Sequence, residues 1–161
     1  MKLTFLFFYS FALLPLLVLT SFVSCKKDGV TTVAFEATYT TTNELLDPPP
    51  MLKQRITGIG KSNELNISKF VAVSTQNTGT PPPFKLSGPC TYYADNGDMF
   101  YTSFSGDATP NADGTITVQM THTITGGTGR FGHASGTIVG KTIVDPKKPS
   151  ASIDCKGTIS Y

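Results

Sequence analysis

Two histidines and three cysteines are the only imidazole and thiol groups in a chain of 161 residues, and no pair among them has zinc spacing. A calcium loop is excluded as well. "TPNADG" (109–114) places Thr109 where the first carboxylate belongs, and Met120 falls where the bidentate glutamate should stand. Asp95, Asp98, Asp107 and Asp113 read instead as turn formers and solvated strand ends. Charge is also sparse, with 15% charged residues and a formal net charge of +2. No basic stripe interleaved with aromatics occurs, which argues against a nucleic-acid partner. Helical periodicity is missing too, and neither a metal nor a cofactor is expected.

Two glycine motifs invite chemistry and fail on context. "GTGRFG" (127–132) matches the dinucleotide fingerprint G-x-G-x-x-G, which must open a helix whose N-terminus faces the pyrophosphate. Here it runs into "HASGTIVGKTIV", rich in β-branched residues and glycine, and that is a strand. The segment reads as a hinged connection in which Gly126, Gly127 and Gly129 supply unusual φ values and Phe131 turns inward as a plug. A helix beginning at Gly129 would revive the cofactor reading. "GHASG" (132–136) misses the spacing of a nucleophile elbow by one residue. His122 occupies an inward strand position and reads as a hydrogen-bonded structural histidine, with a general base the alternative. His133, beside the glycine segment, is the candidate barrel-mouth group, with Arg130 at the rim.

What the chain does have begins at its front. Lys2 precedes the apolar run "LTFLFFYSFALLPLLVL", and "TSFVSC" follows with small and apolar residues directly before Cys25. That order of charge, apolar run and processing site is an export signal. The stretch resembles the lipobox of bacterial lipoproteins, although Phe22 and Val23 depart from its commonest residues. The resemblance implies cleavage before Cys25 and acylation of its thiol with palmitate-type chains, several of which hold a protein stably on a bilayer. Three parts follow: a signal peptide (1–24), a lipidated tether (25–30) and one domain (31–161). The mature 137 residues suffice for a single core. Lys26 after the cysteine is compatible with an outer membrane, and "KKD" (26–28) resembles the tethers of some surface-exposed lipoproteins.

The remaining chain is written in period two. In 115–125, Ile116, Val118, Met120, His122 and Ile124 alternate with Thr117, Gln119, Thr121 and Thr123, and 151–161 alternates in the same way. Such alternation is a strand with one face in the core and one in water. Weaker versions span about 31–42, 54–61, 65–75, 84–94, 98–106 and 134–144, separated by Pro-, Gly- and Asn-rich turns. Asn96-Gly97 predicts a two-residue hairpin with positive φ at both central residues. Eight short strands, each with one wet face, predict an all-β, antiparallel meander closed into a barrel.

Residues 94–140, from "ADNGD" to "ITGGTGRFGHASGTIVG", together with the closing "GTISY", resemble bacterial proteins with an allene oxide cyclase-like, dirigent-like barrel. The resemblance covers the C-terminal half, and "NELN" (63–66) stands where those proteins often carry Thr-His-Leu-Gly. It implies an eight-stranded barrel and transfers no activity. Two functions are compatible with the chain. One is a non-catalytic envelope lipoprotein whose barrel has a structural role or binds a hydrophobic molecule or an envelope protein. The other is a small-molecule isomerase or cyclase with the barrel as its reaction chamber. They differ in whether Phe35, Tyr39, Phe84, Tyr92, Phe100, Phe104 and Phe131 fill the interior or leave it open. Cys90 and Cys155 both fall on inward positions. Export favours a disulfide between them, whereas their placement on strands four and eight, across a regular barrel, opposes one.

Overall fold

A computed structural model describes residues 29–161; the signal peptide, Cys25 and most of the tether lie outside the described residues. Eight strands follow one another: β1 (Thr32–Asp47), β2 (Met51–Ser62), β3 (Ile67–Asn77), β4 (Phe84–Ala94), β5 (Met99–Pro110), β6 (Ile116–Gly127), β7 (Ser135–Val144) and β8 (Ser150–Ser160). Each pairs antiparallel with its neighbours, and β1 closes on β8 from Thr32↔Ser160 to Thr42↔Ser150. Closure leaves no unpaired edge. The all-β meander barrel expected from the alternation is the fold observed, with β1 running on to Asp47 and β5 to Pro110.

The phase of each strand decides its faces. On β1, Phe35, Ala37, Tyr39 and Thr41 are buried while Thr32, Glu36, Thr38 and Thr40 face water. On β6, Met120, His122 and Ile124 are buried and Thr117, Thr121, Thr123 and Thr125 are exposed. An apolar interior beneath a threonine-rich exterior is the reverse of a membrane-spanning barrel, whose apolar band faces lipid.

The two ends of the barrel differ. At the end that holds the 63–66 and 95–98 turns and the 128–134 connection, aromatic side chains fill the lumen. Tyr92 stacks on Phe100 at 4.6 Å, and Phe35 meets both edge-on at 5.9 and 6.0 Å. Phe131, fully buried, packs edge-on against Phe100 at 5.5 Å and Tyr161 at 5.2 Å. It is the plug that the sequence suggests. The chain enters at this end, where Thr31 and Tyr161 exchange two backbone hydrogen bonds of 2.9 Å.

The glycine segment forms one turn of 3-10 helix, Gly129–Phe131, before β7 begins at Ser135. Three residues make no dinucleotide helix, and the Asp98 carboxylate accepts from the Arg130 N–H at the start of the turn, occupying the place an anion would need. Gly126 and Gly129 have positive φ, 131° and 53°. Gly127 does not. Its role is close approach, since a Cβ there would collide with the Met99 carbonyl oxygen and the Phe131 side chain.

Asn96-Gly97 also departs from expectation. Only Gly97 has positive φ, at 89°, and its N–H donates to the Ala94 carbonyl at 3.0 Å while Ala94 N–H donates to Asp98. This is a type I turn closed by a glycine bulge, the alternative three-residue hairpin. The 111–115 turn repeats it around Gly114, with Asp113 accepting from the Thr115 N–H and hydroxyl. Those bonds hold the Asp113 carboxyl below its ordinary pKa, the hydroxyl contributing most.

Candidate ligand cavity

The opposite end is open. Here stand the 48–50, 78–83, 111–115 and 145–149 turns, with proline triplets at 48–50 and 81–83 and further prolines at 110, 146 and 149. Proline fixes φ at each of these positions, so the rim loses little entropy when something docks within it. Between rim and aromatic plug lies a cavity of about 520 Å³. That falls within the ~300–1,000 Å³ of small-molecule sites, and an eight-stranded barrel is just wide enough to hold one small ligand.

The floor consists of Phe70, Tyr92, Phe104 and His122, and the walls include Ile56, Leu86, Val118, Met120 and Ile153. Polar groups appear toward the rim, among them Asn43, Gln54, Gln76, Asp145 and Lys148. Lys148 and Asp145 pair with each other at 3.7 Å. Of the seven aromatics that decide whether the barrel is filled, Phe35, Tyr39, Phe100 and Phe131 lie wholly in the plug. Tyr92 and Phe104 form the boundary, and Phe84 lines the open half. The barrel is half filled and half open.

His122 is the polar feature of the floor. It is 3% exposed, and its Nδ1 lies 3.1 Å from the Thr102 hydroxyl on β5. Phe104 lies beside the ring at 5.1 Å and Tyr92 meets it edge-on at 5.8 Å. Nε2 has no hydrogen-bond partner. Burial disfavours the imidazolium and pulls the pKa down to about 4, so the ring is neutral at pH 7. No group of three His, Cys, Asp or Glu able to hold a metal occurs among the described residues.

His133 and Arg130, the candidate mouth groups of the sequence, stand at the plugged end instead. His133 is exposed. Arg130 is a clasp: its Nη2 donates to the Leu65 carbonyl at 2.6 Å, its Nε lies 3.8 Å from Asp98, and its guanidinium covers the Phe131 ring at 4.6 Å. It ties the 63–66 loop, the 95–98 hairpin and the plug together. β6 carries His122 to the floor of the open half, buried and hydrogen-bonded as its inward strand position predicts, while the glycine turn leaves His133 exposed at the plugged end.

Cys90 and Cys155 are both buried and both free. Cys90 faces Ala72 and Thr102 across β3 and β5, whereas Cys155 sits between Ala37 and Gly140 on β1 and β7. Burial pushes the Cys155 thiol up to about 12 and Cys90 higher still. These are inert, small core residues. No described protein family, curated protein or solved structure matches this chain.

Proposed function

We propose that this protein is a lipid-anchored component of a bacterial cell envelope, acylated at Cys25, whose barrel binds a hydrophobic small molecule without transforming it. The observation that carries the binding role is the cavity: mostly apolar walls, one mouth, and a floor closed by packed aromatics. Anchoring rests on the order of charge, apolar run and cysteine in residues 2–25. Kinship with allene oxide cyclase-like barrels is part of the same proposal and is compatible with eight strands in a closed meander.

The ionisable groups lining the cavity are Tyr92 and His122 at the floor and Asp145 and Lys148 at the rim. Burial raises the Tyr92 hydroxyl far above its ordinary range and lowers His122. Neither is suited to proton transfer near neutral pH, where an acid–base group needs a matched pKa. Recognition, rather than catalysis in a reaction chamber, is the use this floor supports.

Chain entry at the plugged end gives the anchor a geometric consequence. Strands of ten or more residues, tilted as in barrels of this size, span about 25–30 Å. The mouth therefore opens away from the bilayer to which Cys25 is fixed, and the ligand arrives from the aqueous side.

Three measurements test this. Mass spectrometry of membranes should yield an acylated peptide beginning at Cys25, and recovery of an intact Met1 peptide there would refute the anchor. The neutral fluorophore N-phenyl-1-naphthylamine should enter the cavity and be excluded by Ala72→Trp; equal uptake by both proteins would refute cavity binding. A dye on Thr80→Cys should lie farther from labelled lipid than one on Asp95→Cys, and the reverse order would refute the orientation.

A further inference from the structure

An imidazole buried without a partner for one nitrogen is costly, since an unmade hydrogen bond in the interior forfeits the hydration that the group had in water. Native interiors keep few such groups, and each calls for a physical reason. His122 is one: 3% exposed, with Nε2 unpartnered. Its setting makes the cost conspicuous, because Phe70, Tyr92 and Phe104 make up the rest of the floor and a fourth apolar ring would complete it without penalty. The ring is also held in place. Thr102 fixes Nδ1 at 3.1 Å, and Phe104 and Tyr92 flank the ring at 5.1 and 5.8 Å. Whichever of Thr102 and His122 donates in that bond, one hydrogen-bonding position remains on Nε2, which itself has almost no exposed surface, so a ligand oxygen reaches it only as a floor side chain shifts aside.

From this geometry we infer that His122 is the specificity-determining residue of the cavity, giving one hydrogen bond through Nε2 to a single uncharged oxygen at the leading end of an otherwise apolar ligand. The inference rests on the cavity-binding proposal and narrows its ligand class. The body of the ligand is set by the walls, which are mostly apolar through Ile56, Leu86, Val118, Met120 and Ile153, with Ser74 and Thr41 the buried polar residues among them and the Thr41 hydroxyl already bonded to the Ala151 carbonyl. Its leading group is set by charge. Among the described residues the only cation lining the cavity is Lys148, which stands at the rim and is paired with Asp145. A carboxylate or phosphate carried to the floor would be a buried charge with no counterion. A hydroxyl or carbonyl oxygen meets no such penalty. A neutral imidazole, which burial maintains by keeping the pKa near 4, suits a neutral partner.

Four naphthalene probes separate the possibilities: naphthalene, 2-naphthol, 2-acetonaphthone and 2-naphthoate, each titrated calorimetrically into the full mature protein and into His122→Phe and His122→Met. The wild type should bind 2-naphthol roughly three- to tenfold more tightly than naphthalene, the range of one net hydrogen bond. Naphthoate should bind more weakly than naphthalene. Both variants should lose the preference for naphthol while retaining affinity for naphthalene. The ketone can only accept, so it shares the preference if Nε2 carries the proton. Titration of wild-type protein alone supplies a second readout that does not depend on variants folding: the His122 Nε2 nitrogen resonance should move with naphthol and stay with naphthalene. Equal binding of naphthol and naphthalene, a preference that survives both variants, an unmoved resonance, or tightest binding of naphthoate would each overturn the inference while leaving the cavity a binding site. If none of the four binds, cavity binding fails and this inference fails with it.

Discussion

The same substitution at opposite ends of the barrel should have very different consequences. Phe131 is fully buried, touches Phe100 and Tyr161 edge-on, and lies under the Arg130 guanidinium. Phe131→Ala removes a ring from a closed, packed region that cannot collapse around the loss, because neighbouring strands are held by ladder hydrogen bonds. Such a deletion costs about 3–5 kcal/mol, the transfer and cavity terms together. Phe84 is only partly buried and faces the open cavity. Phe84→Ala therefore forfeits part of the ~1.5–3 kcal/mol of ring transfer and creates no closed void, for a loss of about 1 kcal/mol. Against a total stability of about 5–15 kcal/mol, Phe131→Ala leaves a marginal fold and Phe84→Ala a sound one. At roughly 3–5 °C per kcal/mol for a domain of this size, the melting temperature should fall by about 10–20 °C for Phe131→Ala and by about 5 °C or less for Phe84→Ala. Denaturant unfolding of both variants beside the wild type measures the difference. Equal losses, or a larger loss at Phe84, would mean that the open half is packed as tightly as the plug, and would remove the cavity from consideration.

Three further outcomes follow from the described geometry. His122 is pulled from 6.5 to about 4 by burial, so the unfolded chain binds more protons than the native one between these values. Native stability should be at its full value above about pH 6.5 and fall as the pH drops through 4, by at most about 3 kcal/mol; unfolding curves at pH 7 and 4.5 should show this in the wild type and much less in His122→Phe. Cys90 and Cys155 should titrate as two free thiols in denatured protein purified under oxidising conditions and react far more slowly when native; a mass two daltons lighter before reduction would contradict this. Gly127→Ala should destabilise by more than 1 kcal/mol despite an ordinary φ, because the added methyl meets the Met99 carbonyl and Phe131; a neutral result in thermal unfolding would show that the connection moves freely.

Strand content and closure were legible in the sequence because a strand advertises which residues face inward by a period of two, a local property that needs no knowledge of neighbours. Ile116, Val118, Met120, His122 and Ile124 declared their common face in this way, and Phe131 declared itself inside a run of glycines. The dinucleotide fingerprint could be dismissed for the same reason, since the residues after Gly132 carry a strand's pattern. Alternation says that a side chain points inward, however, and not how far along the barrel axis it lies. That height depends on the stagger between neighbouring strands, settled only when β1 closes on β8. The stagger gathers Phe35, Tyr92, Phe100, Phe131 and Tyr161 at one end and leaves the other hollow. It also carries His122 to a cavity floor, puts His133 and Arg130 at the plugged end, and keeps Cys90 and Cys155 on separate walls. The sequence by itself determined which residues line the barrel; the closed tertiary structure alone decided where the lumen is full and where it is empty, because depth is a relation among eight strands and direction belongs to each.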